Sequence, residues 1–331
     1  MTFVSRARAR YLTALLAASS LCLPSLSHAE SYPSRTITFV VPSVAGGALD
    51  SLARKLAEDM GKRLGQTIIV ENRPGAAGTL GVQYVVRAKP DGYTVLVGQS
   101  TALLNAPLLY AKVPYDVRRD LSFVSQLSTG PYVLAVSKDV PAKNVQEFLA
   151  WAAQNKGKVS YGSYAVGSFA HLVGAYMSQT KGLDMTHISY KGEAPMVQDL
   201  AGGQISWGIA SIGTLSPHLA SGKVRALALF SDHRSKDLPN VPTMSEAGLS
   251  EPEYKPVGWV GMLVPAGTPA PVLARLEKEA RASVQSATLR AHFQMYGSEP
   301  IGNSAADFRR NFEASLPVVE RMIKISGAKV D

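Results

Sequence analysis

The chain contains very little cysteine: Cys22 is the only one among its 331 residues. Cys22 lies in an N-terminal segment that we expect to be removed, so the mature protein would have no disulfide, thiolate metal site or cysteine nucleophile. The remaining histidines show no zinc-type spacing such as H-E-x-x-H, and no paired carboxylates stand out. We therefore expect no cofactor, and a fold stabilised by its own hydrophobic core.

A long apolar run is missing as well. The apolar segment Tyr11 to Leu23 is too short for a membrane span, which needs about 20 residues. Three arginines precede it, and Ser27-His28-Ala29 places small residues at both positions that signal peptidase reads. We therefore predict that residues 1–29 are a cleaved signal peptide and that the mature protein works outside the cytoplasm.

The sequence has only a small excess of basic residues, and these residues do not form a cluster. Removal of residues 1–29, with three arginines and no acidic residue, lowers the net charge from +9 to +6. The basic residues are scattered, so we expect no nucleic-acid partner. A mild positive charge does favour an anionic ligand by raising its local concentration.

Strands and helices are predicted to alternate along the mature chain, on the basis of hydrophobic periodicity. Strands are predicted at 36–41, 67–70, 94–97, 132–136, 159–161, 187–190, 205–210, 224–230 and 259–264. Helices are predicted at 49–64, 78–88, 145–153, 168–179, 195–201, briefly before 224, and after 264. This order indicates an α/β protein with parallel strands and right-handed crossovers.

The turn-rich stretch 231–256 predicts a connection that returns to the first half of the chain. We therefore predict two α/β domains, residues 31–130 plus 256–331 and residues 131–255, with a hinge and a cleft between them. Ligands of open α/β sheets bind beyond the carboxyl ends of the strands. This rule selects the loops after Val41, Val97, Tyr161 and Ala210, and it places Thr101 and Ser211 at the cleft.

The first of these loops reads Pro-Ser-Val-Ala-Gly-Gly-Ala-Leu-Asp from Pro42 to Asp50. Its glycines allow a sharp turn, and its amides would point out of the N-terminus of the next helix, where an anion is favoured. An ordinary tight turn explains the same residues equally well. Asp50 lies in the first helical turn, where it would offset the helix dipole.

The second loop runs from Gly162 to His171 and again joins a strand to a helix. Its amides, hydroxyl groups and imidazole suit a carboxylate ligand. A phosphate-binding loop is not supported, because Phe169 stands before the helix where the motif needs Lys followed by Ser or Thr. His171 has two interpretations, a ligand contact or a buried, hydrogen-bonded core residue.

An enzyme remains an alternative at this point. Gly98-Gln99-Ser100-Thr101-Ala102 follows a strand and nearly matches the G-x-S-x-G nucleophile elbow, with Ala102 in place of the last glycine. The corresponding hypothesis is a secreted serine hydrolase that acts through Ser100.

Several blocks in the mature chain resemble a known family in the same order. The blocks are Tyr32–Ile37, Val41 to Asp50, Ala53-Arg54, Val70-Glu71-Asn72-Arg73-Pro74-Gly75-Ala76, Pro90–Thr94, Tyr190-Lys191-Gly192, Leu200–Gln204, Gly222–Ala228 and Pro239–Thr243. The chain is similar to the extracytoplasmic solute receptors of tripartite tricarboxylate transporters, also called the Bug family. The Val-Glu-Asn-Arg-Pro-Gly block is the most specific of these resemblances.

The resemblance implies a monomeric periplasmic binding protein, with a type II-like two-domain fold that closes on a small carboxylate or dicarboxylate. It implies a membrane permease as partner, and it implies that backbone amides and water of the two loops grip the carboxylate. The candidate ligand-binding residues are Ser43, Val44, Ala45, Gly46, Gly47, Asp50, Thr101, Ser163, Tyr164, Gly167, Ser168, His171 and Ser211. A ligand sensor for a membrane signalling partner remains an alternative to transport.

Two positions depart from the family's pattern. Ser43 stands where an aromatic residue is usual, and the extra room predicts a bulkier or flatter ligand, such as an aromatic dicarboxylate. Ser206 replaces an aspartate found in many members, which is a lesser change.

Overall fold

The computed structural model of the protein describes residues 32–255 and 258–328. The predicted signal peptide lies outside these residues. Packing divides the chain into a unit that ends at Ser34 and a unit that begins at Arg35, and the fold below is that of the second unit. None of the described helices is both long enough and apolar enough to cross a membrane.

Eleven strands occur among the described residues. They are β1 (Ile37–Val41), β2 (Ile68–Asn72), β3 (Thr94–Gln99), β4 (Leu121–Thr129), β5 (Tyr132–Ser137), β6 (Ser160–Ser163), β7 (Thr186–Ser189), β8 (Trp207–Ser211), β9 (Val224–Phe230), β10 (Trp259–Pro265) and β11 (Glu299–Pro300). They form a six-stranded sheet with the order β11-β4-β10-β3-β1-β2 and a five-stranded sheet with the order β7-β6-β8-β5-β9.

Helices pack on these two sheets and connect their strands. They are α1 (Ala48–Leu64), α2 (Thr79–Val86), α3 (Ala106–Leu109), α4 (Val117–Asp120), α5 (Val145–Gln154), α6 (Phe169–Thr180), α7 (Glu193–Ala201), α8 (Ile212–Ala220), α9 (Ala270–Val284), α10 (Ala287–Met295) and α11 (Ala305–Ser326). The α/β class is confirmed, and every strand expected from periodicity is present.

The sheets are mixed rather than purely parallel, so the parallel arrangement holds for only part of the fold. Strands β1, β2 and β3 are parallel, as are β6, β7 and β8. Strand β10 runs antiparallel to both β3 and β4, and β5 runs antiparallel to β8 and β9. Along the chain, helices separate β1, β2 and β3 from one another, and likewise β6, β7 and β8, as parallel neighbours require.

Helix α1 shows why the local sequence folds as it does. Its apolar side chains recur at helical spacing, so that one face, including Leu52, Leu56 and Met60, is buried. Gly65 ends the helix in a left-handed conformation with φ of 68°, which glycine adopts without steric cost. The helix therefore begins directly after the first loop and fixes the direction in which that loop leaves β1.

The chain passes from the first sheet to the second through the short link Gly130-Pro131 and returns to the first at Trp259. The two passages lie against each other, because the hydroxyl of Thr129 donates a hydrogen bond to the carbonyl of Gly258 at 2.8 Å. Strands β1–β4, β10 and β11 thus form one sheet and β5–β9 the other. The domain boundaries and the hinge remain predictions.

Candidate functional site

Four strand ends surround one cavity of about 450 Å³. The connections that follow β1, β3, β6 and β8 all contribute to its wall, and these are the four that the strand-end rule selects. Their lining residues are Ala48, Leu49, Leu52, Gln99, Ser100, Thr101, Asn105, Tyr164, Phe169, Ser211 and Thr214. The passages between the sheets supply further lining at 128–132 and 258–260, so the cavity lies where the chain crosses.

The loop after β1 is held by the carboxylate of Asp50, which is only 3% exposed. Its Oδ2 accepts hydrogen bonds from the backbone N–H of Gly46 at 2.9 Å and from Nε of Arg54 at 3.0 Å. Its Oδ1 accepts from Nδ2 of Asn72 at 2.9 Å. The hydrogen bond from Arg54 is the main reason that the pKa of Asp50 falls to about 2. Asp50 is therefore a positioning residue for this loop.

Asn72 explains the physical role of the Val-Glu-Asn-Arg-Pro-Gly block. Its Nδ2 donates to the carbonyl of Ser43 at 3.2 Å as well as to Asp50, and its Oδ1 accepts from Arg54 at 3.1 Å. One side chain at the end of β2 thus fixes both ends of the first loop. Sequence reasoning recognised the block but did not assign this contact.

The predicted ligand residues of the first loop lie beside the cavity rather than in its wall. The wall begins at Ala48, one residue after the segment Ser43–Gly47. Val44 and Ala45 are exposed, and Ser43 is half-buried. Contact between these residues and a ligand therefore stays a prediction.

The loop after β6 is arranged around Gly167. Its φ of 75° is in the left-handed region, its N–H donates to Nδ1 of His171 at 3.0 Å, and its carbonyl accepts from Nδ2 of Asn105 at 3.0 Å. Ser168 caps α6 by accepting a hydrogen bond from the N–H of His171 at 3.3 Å. Tyr164 and Phe169 of the same loop reach the cavity wall.

His171 and Ser163 lie on the far side of that loop. The ring of His171 stacks on that of His187 at 3.9 Å, and both border a separate surface cavity. Burial, reinforced by His187, lowers the pKa of His171 to about 4, so its neutral ring can accept the hydrogen bond from Gly167. The Oγ of Ser163 lies 2.7 Å from Nε2 of His187. The structure gives both side chains contacts that support the loop and does not bring them to the cavity.

Aromatic side chains form much of the cavity wall, and sequence reasoning selected only Tyr164 among them. Tyr132, at the start of β5, stacks on Tyr164 with ring centres 6.0 Å apart, and Phe169 lies 5.5 Å from Tyr132. Burial, followed by the nearby charge of Glu193, raises the pKa of Tyr132 to about 12. Burial also raises the pKa of Tyr164 well above its ordinary value, so both tyrosines keep their hydroxyl protons at neutral pH. The alternating pattern of β5 could have suggested Tyr132 as a residue that faces the cavity. Its stacking on Tyr164 could not be predicted, because it depends on the tertiary fold.

Glu193 is another residue of the cavity wall that sequence reasoning did not identify. It is the first residue of α7, and its Oε2 accepts from the N–H of Ser211 at 3.1 Å, from the Oγ of Ser211 at 2.7 Å and from the Oγ1 of Thr214 at 3.0 Å. The predicted ligand residue Ser211 is thus at the cavity but already bound to this carboxylate. Thr101 is also at the cavity.

Ser100 does not have the surroundings of a catalytic nucleophile. It is buried, and among the hydrogen bonds of the described residues its Oγ has only the N–H of Trp259, at 3.4 Å. The chain continues from it into a π-helical turn, Thr101–Asn105. No histidine of the described chain is hydrogen-bonded to Ser100, so the base that a serine nucleophile needs is not in place.

Known proteins identify the family to which this arrangement belongs. Residues 52–327 match the family described as "Tripartite tricarboxylate transporter family receptor". The chain belongs to this receptor family. It is 34% identical over 274 residues to the protein BugT of Bordetella pertussis (strain Tohama I), covering 82% of this chain and 83% of that protein.

Two solved structures of other proteins agree with the fold. One is Rpa4515 of R. palustris with adipate, with a TM-score of 0.76 and 32% identity over 90% of this chain and 100% of that one. Another is MatC of Rhodopseudomonas palustris with bound malate, with a TM-score of 0.72 and 30% identity over 88% of this chain and 100% of that one. The two-domain periplasmic binding protein fold and the family resemblance are both confirmed.

The receptor family consists of periplasmic solute-binding proteins and not of enzymes. The serine hydrolase hypothesis is therefore not retained, and the surroundings of Ser100 give the physical reason.

Proposed function

We propose that this receptor captures a small organic carboxylate in the cavity between its two sheets and presents it to the membrane permease of a tripartite tricarboxylate-type transporter. The observation that carries the proposal is the convergence of helix N-termini on the cavity. Helices α1, α6 and α8 begin at Ala48, Phe169 and Ile212, and each has its first residues or its cap in the cavity wall. Aligned N–H groups at these ends favour an anion without any cationic side chain.

Two of these ends can receive a carboxylate. No acidic residue lies in the first turn of α6. The first turn of α1 contains Asp50, but that carboxylate binds the N–H of Gly46 and the side chains of Arg54 and Asn72. The N-terminus of α8 is less available, because Glu193 already accepts from Ser211. We propose that the ligand carboxylate lies between α1 and α6.

A flat or aromatic ligand is proposed for the remainder of the cavity. Tyr132, Tyr164, Phe169 and Trp259 all line it, so a planar group could pack against aromatic rings. The short links at Gly130-Pro131 and Gly258 would allow the two sheets to close over such a ligand. The adipate and malate of the two solved relatives are small organic acids, which supports a small organic acid as the ligand of this receptor.

A thermal-shift panel tests the proposal. The mature chain would be heated with mono-, di- and tricarboxylates and aromatic acids, each paired with its uncharged amide. A ligand present at 100 times its Kd stabilises the folded state by about 2.7 kcal/mol, which raises the Tm by several degrees in a protein of this size. We expect at least one acid, and not its amide, to produce this shift. A shift with sugars or simple amines but with no acid would exclude the carboxylate function.

A further inference from the structure

The charge of the cavity wall bears on what a ligand carries besides its first carboxylate. Glu193 is the one carboxylate in the part of the cavity wall that the structure describes, and neither lysine nor arginine occurs among those lining residues. His292 also lines the cavity, but burial and the charge of Lys55 lower its pKa, so it is neutral at neutral pH. The wall therefore carries a negative side-chain charge with no cation to balance it.

One oxygen of Glu193 remains available to a ligand. All three hydrogen bonds of this side chain go to Oε2, and no described residue donates to Oε1. Because Ser211 and Thr214 hold Oε2, the direction of the carboxylate group is fixed before any ligand binds. A fixed anionic acceptor that faces a cavity selects for a donor, and a charged donor forms the stronger hydrogen bond.

The rings beside Glu193 favour the same kind of group. Tyr132 and Tyr164 lie close enough to Glu193 for its charge to act on both hydroxyl groups, and they stack on each other at the cavity wall. The face of an aromatic ring attracts a cation, with more effect when water is excluded. A second ligand carboxylate near Glu193 would instead meet a like charge, which is destabilising.

We propose that the ligand is an amino acid in the broad sense, a carboxylate that also carries a protonated nitrogen, and that this nitrogen binds Oε1 of Glu193 beside Tyr132 and Tyr164. This inference rests on the proposed function, since the carboxylate of the same ligand lies at the N-termini of α1 and α6. Glu193 is thus the residue that determines specificity, by accepting the cationic end and rejecting a second acid. The dicarboxylate expected from the family resemblance is replaced by a zwitterion.

Two sets of probes, each with three matched members, test this specificity. The first contains benzoate, para-aminomethylbenzoate and terephthalate, and the second contains pentanoate, delta-aminopentanoate and adipate. The members of a set share a carboxylate and a spacer but end in a neutral group, a cation or a second anion. Calorimetric titration of the native chain should give at least tenfold tighter binding for the aminated acid than for the diacid in at least one set.

Glu193→Gln removes the charge and keeps an oxygen that can accept from Ser211 and Thr214. This variant should bind the aminated acid at least tenfold more weakly than the native chain does, and it should bind the diacid no more weakly. Glu313→Gln is the matched control, because it makes the same substitution at an exposed position that does not line the cavity, and it should retain the native preference. Urea unfolding of each variant shows whether its fold is intact.

The outcomes separate the two proposals. Binding of acids with an unchanged preference in Glu193→Gln, or tighter binding of the diacids by the native chain, would overturn the role of Glu193 and leave the carboxylate function standing. If no acid binds, with or without a nitrogen, the proposed function itself fails. The preference of the native chain decides the question even if Glu193→Gln does not fold.

Discussion

Replacing Asp50 with alanine is expected to lower the free energy of unfolding at pH 7 by about 2 to 4 kcal/mol and to weaken ligand binding. The carboxylate is buried and accepts hydrogen bonds from Gly46, Arg54 and Asn72. Without it, the N–H of Gly46 and the amide of Asn72 lose an acceptor, and the loop before α1 loses its attachment. Urea unfolding of the native chain and the variant measures the change.

The effect of Asp50→Ala should depend on pH with a defined sign. The pKa of Asp50 is about 2 in the folded chain and 3.8 as the ordinary value, so the unfolded chain binds more protons between these values. The stabilisation is therefore complete above about pH 4 and is lost as the pH falls toward 2. Its charge-dependent part is about 2 kcal/mol at pH 7, and about half of this remains at pH 3.

The matched control for Asp50→Ala is Glu58→Ala on the same helix. Glu58 forms an ion pair with Lys62 at 2.8 Å, also four residues apart, but this pair is on the surface. Its removal should leave the free energy of unfolding nearly unchanged, because exposed pairs contribute little. Equal effects of the two substitutions, or an Asp50 effect that does not change between pH 7 and pH 3, would contradict the positioning role of Asp50.

Gly167→Ala is expected to destabilise the fold by about 3 kcal/mol and to disturb the loop that carries Tyr164 and Phe169. Its φ of 75° disfavours any residue with a Cβ by about 1 to 2 kcal/mol. A Cβ at this position would also clash with Cδ1 of Leu109, so this buried side chain must move. Both the urea midpoint and the affinity for the ligand should fall.

Gly182→Ala separates the two causes. Gly182 has a φ of 64°, but a Cβ there meets no atom within 4 Å. It should therefore show only the conformational cost of about 1 to 2 kcal/mol, with unchanged ligand affinity. If Gly167→Ala is no more destabilising than Gly182→Ala, the close packing between Gly167 and Leu109 has no energetic importance.

Local patterns in the sequence predicted most strands and helices of the fold, but they did not predict β4. Its segment, Leu121–Thr129, contains Ser125 and Gln126 in its interior, which interrupts the apolar alternation that identifies a strand. Both residues can be buried because Asn303 forms hydrogen bonds with them. The Oγ of Ser125 donates to the carbonyl of Asn303 at 2.7 Å, and the Oδ1 of Asn303 accepts from the N–H of Gln126 at 3.0 Å. A partner almost 180 positions away is invisible to a local pattern.

The sequence was sufficient to predict which loops surround the cavity, but it was not sufficient to predict their side-chain contacts. The carboxyl ends of the strands selected the four connections that line the cavity, since that rule depends only on topology. The polar contacts depend on tertiary structure: Glu193 owes its position to Ser211 and Thr214, which lie in a different strand-to-helix connection. His171 was selected as a ligand residue for its chemistry and Asp50 through the family resemblance, whereas the fold directs both side chains toward the backbone of their own loops.

Calorimetric titration of the best acid from the thermal-shift panel against a cavity-filling variant tests the central claim most directly. Ala48 is exposed and lines the cavity. Ala48→Trp should therefore fill the space at the start of α1 without disturbing the packing of the hydrophobic core. Ala153→Trp is the control, because Ala153 is an exposed helical alanine that does not line the cavity. We predict one bound acid per chain for the native protein and for Ala153→Trp, and no measurable binding for Ala48→Trp. Native affinity and stoichiometry in Ala48→Trp would show that the acid binds elsewhere.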